Sequence, residues 1–208
     1  MRWIREHRID FTLFPEICMR QPPDPLDAEN KIIRVSTYNV RREFNTPMEQ
    51  RFDFVAREAF GMTEIGAGLF VPIEATDMVG SGSCGIATPF REARIADEHG
   101  NPLPPDTPGE LCFRGPGLLR GYWNRPEATE AAFHGDWFRT GDLARMDARG
   151  YVWIKGRIKD MIKRAGENVA ANEVEAVLTD LPGIAEAAVV AVPDALRSEE
   201  VKAYVVLA

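Results

Sequence analysis

The sequence predicts an α/β protein with a turn-rich β subdomain over about residues 75–155 and a small α/β unit from about residue 158. Three observations carry this. Between residues 80 and 156, short apolar stretches alternate with Gly, Pro, Asn and Asp, as in strands joined by tight turns. Beyond Gly156 the pattern changes to one amphipathic helical segment and two apolar runs of strand length. A hydrophobic fraction of 45% with 27% charged residues over 208 positions suits a globular chain of one or two domains with a real core.

In chain order, residues 2–10 are charged and read as one helix, and residues 11–14 form a short apolar run closed by Pro15. Gln21-Pro22-Pro23-Asp24-Pro25 breaks regular structure, because proline removes a donor and restricts its predecessor. Ile32-Ile33-Arg34-Val35 reads as a strand. Thr46-Pro47-Met48-Glu49 predicts a helix start, with Thr46 as N-cap, Pro47 in the first turn and Glu49 completing a capping box. Met48, Phe52 and Val55 follow at helical spacing.

Residues 92–96, 109–113 and 151–154 predict strands, with turns at residues 97–101 and 147–150. Residues 172–181 predict a helix capped by Asn172, and residues 184–192 and 201–207 predict strands. The division between the two units falls at residues 157–159, giving parts 1–157 and 158–208.

A net charge of −7 and a pI near 5.1 exclude the basic face of a nucleic-acid binder but leave room for a nucleotide ligand. No apolar run approaches the roughly 20 residues of a membrane span, and the charged start is unlike a secretory signal. Cys18, Cys84 and Cys112 are far apart and the three histidines scattered, so neither a disulfide frame nor a zinc site is expected, and a cytoplasmic location is.

Three segments invite chemistry. In Phe60-Gly61-Met62-Thr63-Glu64, glycine permits close ligand approach, a hydroxyl binds phosphate oxygens and a carboxylate holds Mg²⁺. The same residues also read as a strand–turn junction. In Phe138-Arg139-Thr140-Gly141-Asp142, the Asp after a Gly turn accepts bonds from vicinal hydroxyls, or the segment is a hairpin turn with Asp in its usual place. From Gly156 to Asn168, four basic residues alternate with apolar ones, as in a solvated hairpin or an anion-facing hinge and loop. Neither a P-loop nor a Gly-x-Gly-x-x-Gly fingerprint is present.

In this order the three segments resemble the adenylate-forming superfamily of acyl- and aryl-CoA ligases, peptide-synthetase adenylation domains and luciferases. The likeness extends through Gly109-Glu110-Leu111, Gly115, residues 121–129, Asp136 to Asp142, residues 156–160, Glu173-Val174-Glu175 and Val201-Lys202-Ala203. It covers the chain from about Phe60 onward, with residues 1–59 only weakly alike. Lys163-Arg164-Ala165-Gly166-Glu167-Asn168-Val169 is most similar to fatty-acyl and carnitine/crotonobetaine-type CoA ligases.

The resemblance implies an ATP- and Mg²⁺-dependent enzyme that joins a small-molecule carboxylic acid to AMP and transfers the acyl group to CoA. It places Phe60 on adenine, where the family usually has Tyr, and Gly61 and Met62 in the nucleotide segment. Thr63 would contact phosphate, Glu64 would hold Mg²⁺ and Asp142 would bind the ribose hydroxyls. Arg157 would meet ribose or phosphate, Lys159 would be the hinge, and Lys163 and Gly166 would lie on the CoA-facing loop. The runner-up readings are an aryl- or amino-acid-adenylating enzyme serving a carrier protein, and a non-catalytic fragment.

The family's Ser/Thr/Gly-rich phosphate loop lies upstream of the Thr63-Glu64 segment and is not among these residues, and its C-terminal catalytic lysine would fall beyond Ala208. The chain therefore reads as the late part of the large adenylation domain followed by an incomplete small C-terminal α/β domain. It is expected to be inactive alone and to associate with the missing segments.

Overall fold

The computed structural model describes the chain except residues 39, 41, 166 and 195 and the side chains of residues 42 and 168. Helix α1 (Arg2–Glu6) is shorter than the charged pattern suggested and is followed by β1 (Phe11–Leu13). β2 (Arg34–Thr37) lies two residues beyond the expected strand start, and α2 (Arg42–Phe52) leads to β3 (Val55–Met62). β4 (Gly66–Phe70) and β5 (Ile86–Ala87) complete a sheet in the order β1-β2-β3-β4-β5. Its first three strands run parallel, and β4 and β5 pair antiparallel.

The expected start of α2 is corrected. The helix begins at Arg42, a turn ahead of Thr46, so Pro47 lies inside it and Glu49 makes no capping box. The Glu49 carboxylate instead accepts the Ala56 N–H and the Arg57 guanidinium, both at 2.8 Å. The interior proline removes one helical hydrogen bond. Tertiary burial offsets that loss, because Met48 and Phe52 sit in a closed cluster with Phe14, Val35, Phe54 and Ala56. The rings of Phe14, Phe52 and Phe54 lie 4.8–5.6 Å apart, within the range of favourable aromatic contact. Val55 belongs to β3, not to the helix.

The turn-rich region forms an antiparallel sheet in the order β10-β9-β7-β6, from β6 (Glu92–Ala96), β7 (Gly109–Arg114), β9 (Trp137–Met146) and β10 (Val152–Arg157). A short α3 (Pro126–Ala131) and β8 (Phe133–His134) precede β9, with which β8 pairs. The expected turns are present: the Asp147 carboxylate accepts the Arg149 and Tyr151 N–H groups at 2.9 Å between β9 and β10. Ile65 on the β3–β4 turn and Leu69 of β4 share one core with Leu111, Phe113, Phe138 and Val152, which fixes the two sheets together.

A 3-10 turn, Ile158–Asp160, leads into β11 (Met161–Arg164), β12 (Glu167–Ala170), α4 (Ala171–Thr179), β13 (Ile184–Asp194) and β14 (Ser198–Leu207). These strands make an antiparallel sheet in the order β12-β11-β14-β13. The basic segment after Gly156 thus forms a hairpin. The N-cap of α4 is Ala170, so Asn172 lies inside the helix instead of capping it. Ile162, Ala170 and Val189 are buried, and the Glu175 carboxylate on α4 accepts the Val189 N–H at 2.8 Å. Among the described residues no helix is long and apolar enough to cross a membrane.

Candidate functional site

Phe60 and Gly61 lie near the end of β3, at a register shift against β4. A Cβ at residue 61 would lie 2.5 Å from the Gly66 carbonyl oxygen, so only glycine fits this turn undistorted. The Phe60 ring stacks near-parallel to Phe113 with centroids 6.2 Å apart. Thr63 is exposed and Glu64 half-buried on the turn into β4, which closes through the Ile65 N–H and the Met62 carbonyl at 3.1 Å. The loop after β7 holds this turn twice. The Leu119 N–H donates to the Glu64 carbonyl at 2.7 Å, and the Tyr122 hydroxyl donates to the Glu64 carboxylate at 3.1 Å.

The second segment is not a hairpin turn. Thr140, Gly141 and Asp142 lie within β9 as a bulge, since Glu110 pairs with Leu143 while Cys112 pairs with Arg139, leaving three residues of β9 against Leu111 alone. Gly141 has φ +73°, a left-handed conformation that admits glycine most readily. The Thr140 hydroxyl donates to the Leu111 carbonyl at 2.8 Å and accepts the Asp142 N–H at 3.1 Å. The buried Glu110 carboxylate accepts the Gly141 N–H at 3.0 Å and pairs with Arg139 through Nε at 2.9 Å and through Nη2 at 2.8 Å.

Asp142 is buried, and its Oδ1 accepts a bond from Arg157 Nη1 at 3.1 Å. Burial raises its carboxyl above the usual range, Glu110 adds to that, and Arg157 and the Thr140 hydroxyl pull the other way.

Phe60, Gly61, Asp142 and Arg157 line one cavity of about 550 Å³, a volume typical of small-molecule sites. The third sheet and its helix close the opposite side with Met161, Asn172, Glu175 and Val189. Cys84 also lines the cavity, but burial pushes its thiol up to about 12, so it is neutral and no nucleophile.

Met62 packs toward the core of the two sheets, and Thr63 and Glu64 follow on the turn, outside the cavity lining. Lys159 is exposed on the 3-10 turn. Lys163 is exposed on β11, with its backbone N–H donating to Glu199 at 2.6 Å. Gly166 lies outside the described residues.

Among the described residues no cluster of three His, Cys, Asp or Glu side chains stands ready for a metal. Glu64, on the turn that follows the cavity-lining Phe60 and Gly61, offers one carboxylate, which fits a Mg²⁺ shared with phosphate oxygens, the way this ion is commonly held, but not a cation caged by protein alone.

Sequence reasoning assigned no role to Glu110 or Tyr122. Glu110 had a legible signal: a charge inside the strand run Gly-Glu-Leu-Cys-Phe, where a carboxylate is almost never buried unpaired. Tyr122 had none, because its partner lies 58 positions away.

Comparison with solved structures gives the fold its class. The o-succinylbenzoate CoA synthetase of Bacillus subtilis, in complex with its acyl-adenylate intermediate, aligns with TM-score 0.86 and 26% identity over 100% of this chain and 43% of that one. The fold is that of the adenylate-forming enzymes. Residues 34–123 match the family described as AMP-binding enzyme, and residues 173–208 match the AMP-binding enzyme C-terminal domain. The chain belongs to the AMP-binding enzyme family.

The match begins well ahead of Phe60, so the likeness reaches further toward the N-terminus than the motifs showed, while Asp142 and Arg157 lie between the two matched segments. A long-chain-fatty-acid–CoA ligase of Escherichia coli O6:H1 is 43% identical over 150 residues, covering 72% of this chain and 26% of the ligase. A feruloyl-CoA synthase of an Amycolatopsis species is 41% identical over 149 residues, covering 72% of this chain and 30% of the synthase. The chain thus spans between a quarter and a third of the length of these two relatives.

Proposed function

We propose that this chain is part of an acyl-CoA ligase that activates a carboxylic acid with ATP and passes the acyl group to CoA. In the first half-reaction a carboxylate oxygen attacks the α-phosphorus, giving acyl-AMP and pyrophosphate. In the second, the CoA thiol attacks the acyl carbon and AMP leaves. The observation that supports this best is the convergence of Phe60, Gly61, Asp142 and Arg157 on one cavity in a chain of this family. The names of the relatives, CoA ligases and synthases, support the thioester product.

In this reading Phe60 stacks on adenine where the strand bulge leaves room beside Gly61 and Met62. Asp142 accepts bonds from the ribose hydroxyls, and Arg157 shares its guanidinium between Asp142 and the ribose or phosphate. Thr63 reaches the phosphates and Glu64 holds Mg²⁺, which when bound neutralises phosphate charge. The division between the large and small domains falls at the 3-10 turn near Lys159. Rotation there would bring the Lys163–Gly166 loop toward CoA.

Other parts of the parent protein supply the phosphate loop and the C-terminal lysine in this reading. The isolated chain is therefore expected to form no detectable acyl-AMP. Exposed Tyr204, Val205, Val206 and Leu207 on β14 support packing against further segments.

The test is AMP release by the full-length parent, assayed across short, long and aromatic acids. Release that requires both an acid and CoA is expected. Release indifferent to CoA would overturn the ligase reading and indicate an adenylating enzyme that hands its product to a carrier protein.

A further inference from the structure

We infer that Glu110 is the positioning residue of the ribose site, holding the β9 bulge that aims Asp142 into the cavity. The inference rests on the ribose role proposed for Asp142. Three residues of β9 face one residue of β7, so the backbone ladder cannot satisfy the polar groups of the bulge. Side chains take its place. Thr140 bridges Leu111 and Asp142, and Glu110 caps the Gly141 N–H with one oxygen while Arg139 holds the other. Gly141 is the residue whose left-handed φ turns the chain immediately ahead of Asp142. A carboxylate is required at residue 110 because both neighbours are donors. An amide there would set its NH₂ against either the Gly141 N–H or the Arg139 guanidinium, and one contact would be lost.

Glu110 is absent from the cavity lining, so it acts through Asp142 and not on the ligand. That separates its signature from a general structural one. A loosened bulge degrades recognition of ribose hydroxyls alone, because a carboxylate selects for a hydroxyl only when its oxygens are held in place.

The experiment compares ATP with 2′-deoxy-ATP in the full-length parent, in wild type and in Glu110→Gln. Wild type is expected to prefer ATP by about tenfold or more in kcat/KM, the worth of one hydrogen bond to a charged group. The variant is expected to lose most of that preference, with the KM for acid and for CoA held within about twofold. Should Glu110→Gln fold poorly, Arg139→Gln removes the other anchor of the carboxylate and is expected to give an intermediate preference. A preference kept at the wild-type value in the folded variants overturns the inference. So does a uniform loss for ATP, deoxy-ATP and acid together. Wild type without any preference would remove the ribose assignment of Asp142 and this inference with it.

Discussion

Arg157 and Asp142 face each other twice over: they are partners in the β9–β10 register, and the Arg157 guanidinium donates to the Asp142 carboxylate at 3.1 Å. The register step between Ile154 and Gly156 sets this pairing, so two irregular strands converge at the cavity wall. A Cβ on Gly141 would lie 3.2 Å from Arg157 Nη2, so the arginine also packs on the bulge. The two charges partly neutralise each other. A ligand with hydroxyls and phosphates offers each partner an additional contact.

That arrangement predicts an exchange of stability for function at Asp142. Burial is the largest influence and raises the carboxyl above its unfolded value, so the folded chain binds this proton more tightly than the unfolded chain does. The associated stability is complete below the unfolded pKa and is lost as pH rises through the raised folded one. Asp142→Asn removes the titration. Its melting temperature is expected to exceed that of wild type at neutral pH, with the gap closing below about pH 4, where Asp is protonated in both states. Melts of both proteins across that range are the check, and a less stable Asn variant at neutral pH would refute it.

The glycines of the β3–β4 turn separate two kinds of constraint. At Gly61 the added methyl meets backbone at 2.5 Å, which no side-chain rotation relieves, whereas at Gly66 nothing lies within 4 Å and the constraint is a φ of +62°. Gly61→Ala is expected to cost about 1–3 kcal/mol and to displace Phe60. Gly66→Ala is expected to cost about 1 kcal/mol and leave the cavity unchanged. Urea denaturation of both variants is the measurement, and equal losses would show that the backbone contact at Gly61 has no special weight.

Much of this architecture was legible in the sequence where local chemistry decides the structure. The Asp147–Gly150 turn follows from an Asp that caps its own loop, and the strands of the second sheet follow from apolar runs between such turns. Where distant residues decide, the local signal misled. Gly141 and Asp142 look like a turn, yet Glu110 and Thr140 keep them inside a strand. Pro47 marks a helix start, yet burial of Met48 and Phe52 carries α2 one turn further back. The site motifs gave Phe60, Gly61, Asp142 and Arg157. The wall formed by Asn172 and Val189 depends on how the third sheet docks, which no spacing encodes.

At Glu64 the charge can be removed without removing the shape. The Tyr122 hydroxyl donates to Oε1 of Glu64, and a glutamine retains an acceptor oxygen for it, while the Leu119 bond is to the backbone. Glu64→Gln in the full-length parent is therefore expected to keep the turn and lose the cation. Acid-dependent pyrophosphate exchange should fall about a hundredfold or more at fixed Mg²⁺, with thermal stability unchanged. Near-normal exchange would dissociate Glu64 from the metal.

The last expectation separates the half-reactions at the 3-10 turn. Lys159 is the middle residue of Ile158–Asp160, the short connection between the second and third sheets, and its side chain is exposed. A hinge must adopt different backbone angles in two states. Proline fixes φ near −65°, which a 3-10 turn accepts, and pushes the residue before it, here Ile158, toward extended conformations. Lys159→Pro thus restricts the connection on both sides while removing an exposed side chain that belongs to neither core cluster. In the full-length parent, acyl-AMP formation is expected to persist within a few-fold, and transfer to CoA to fall by about two orders of magnitude. Single-turnover assays of each step distinguish the outcomes. A parallel loss of both steps means that the turn has been disrupted, and loss of neither means that the pivot lies elsewhere than Lys159.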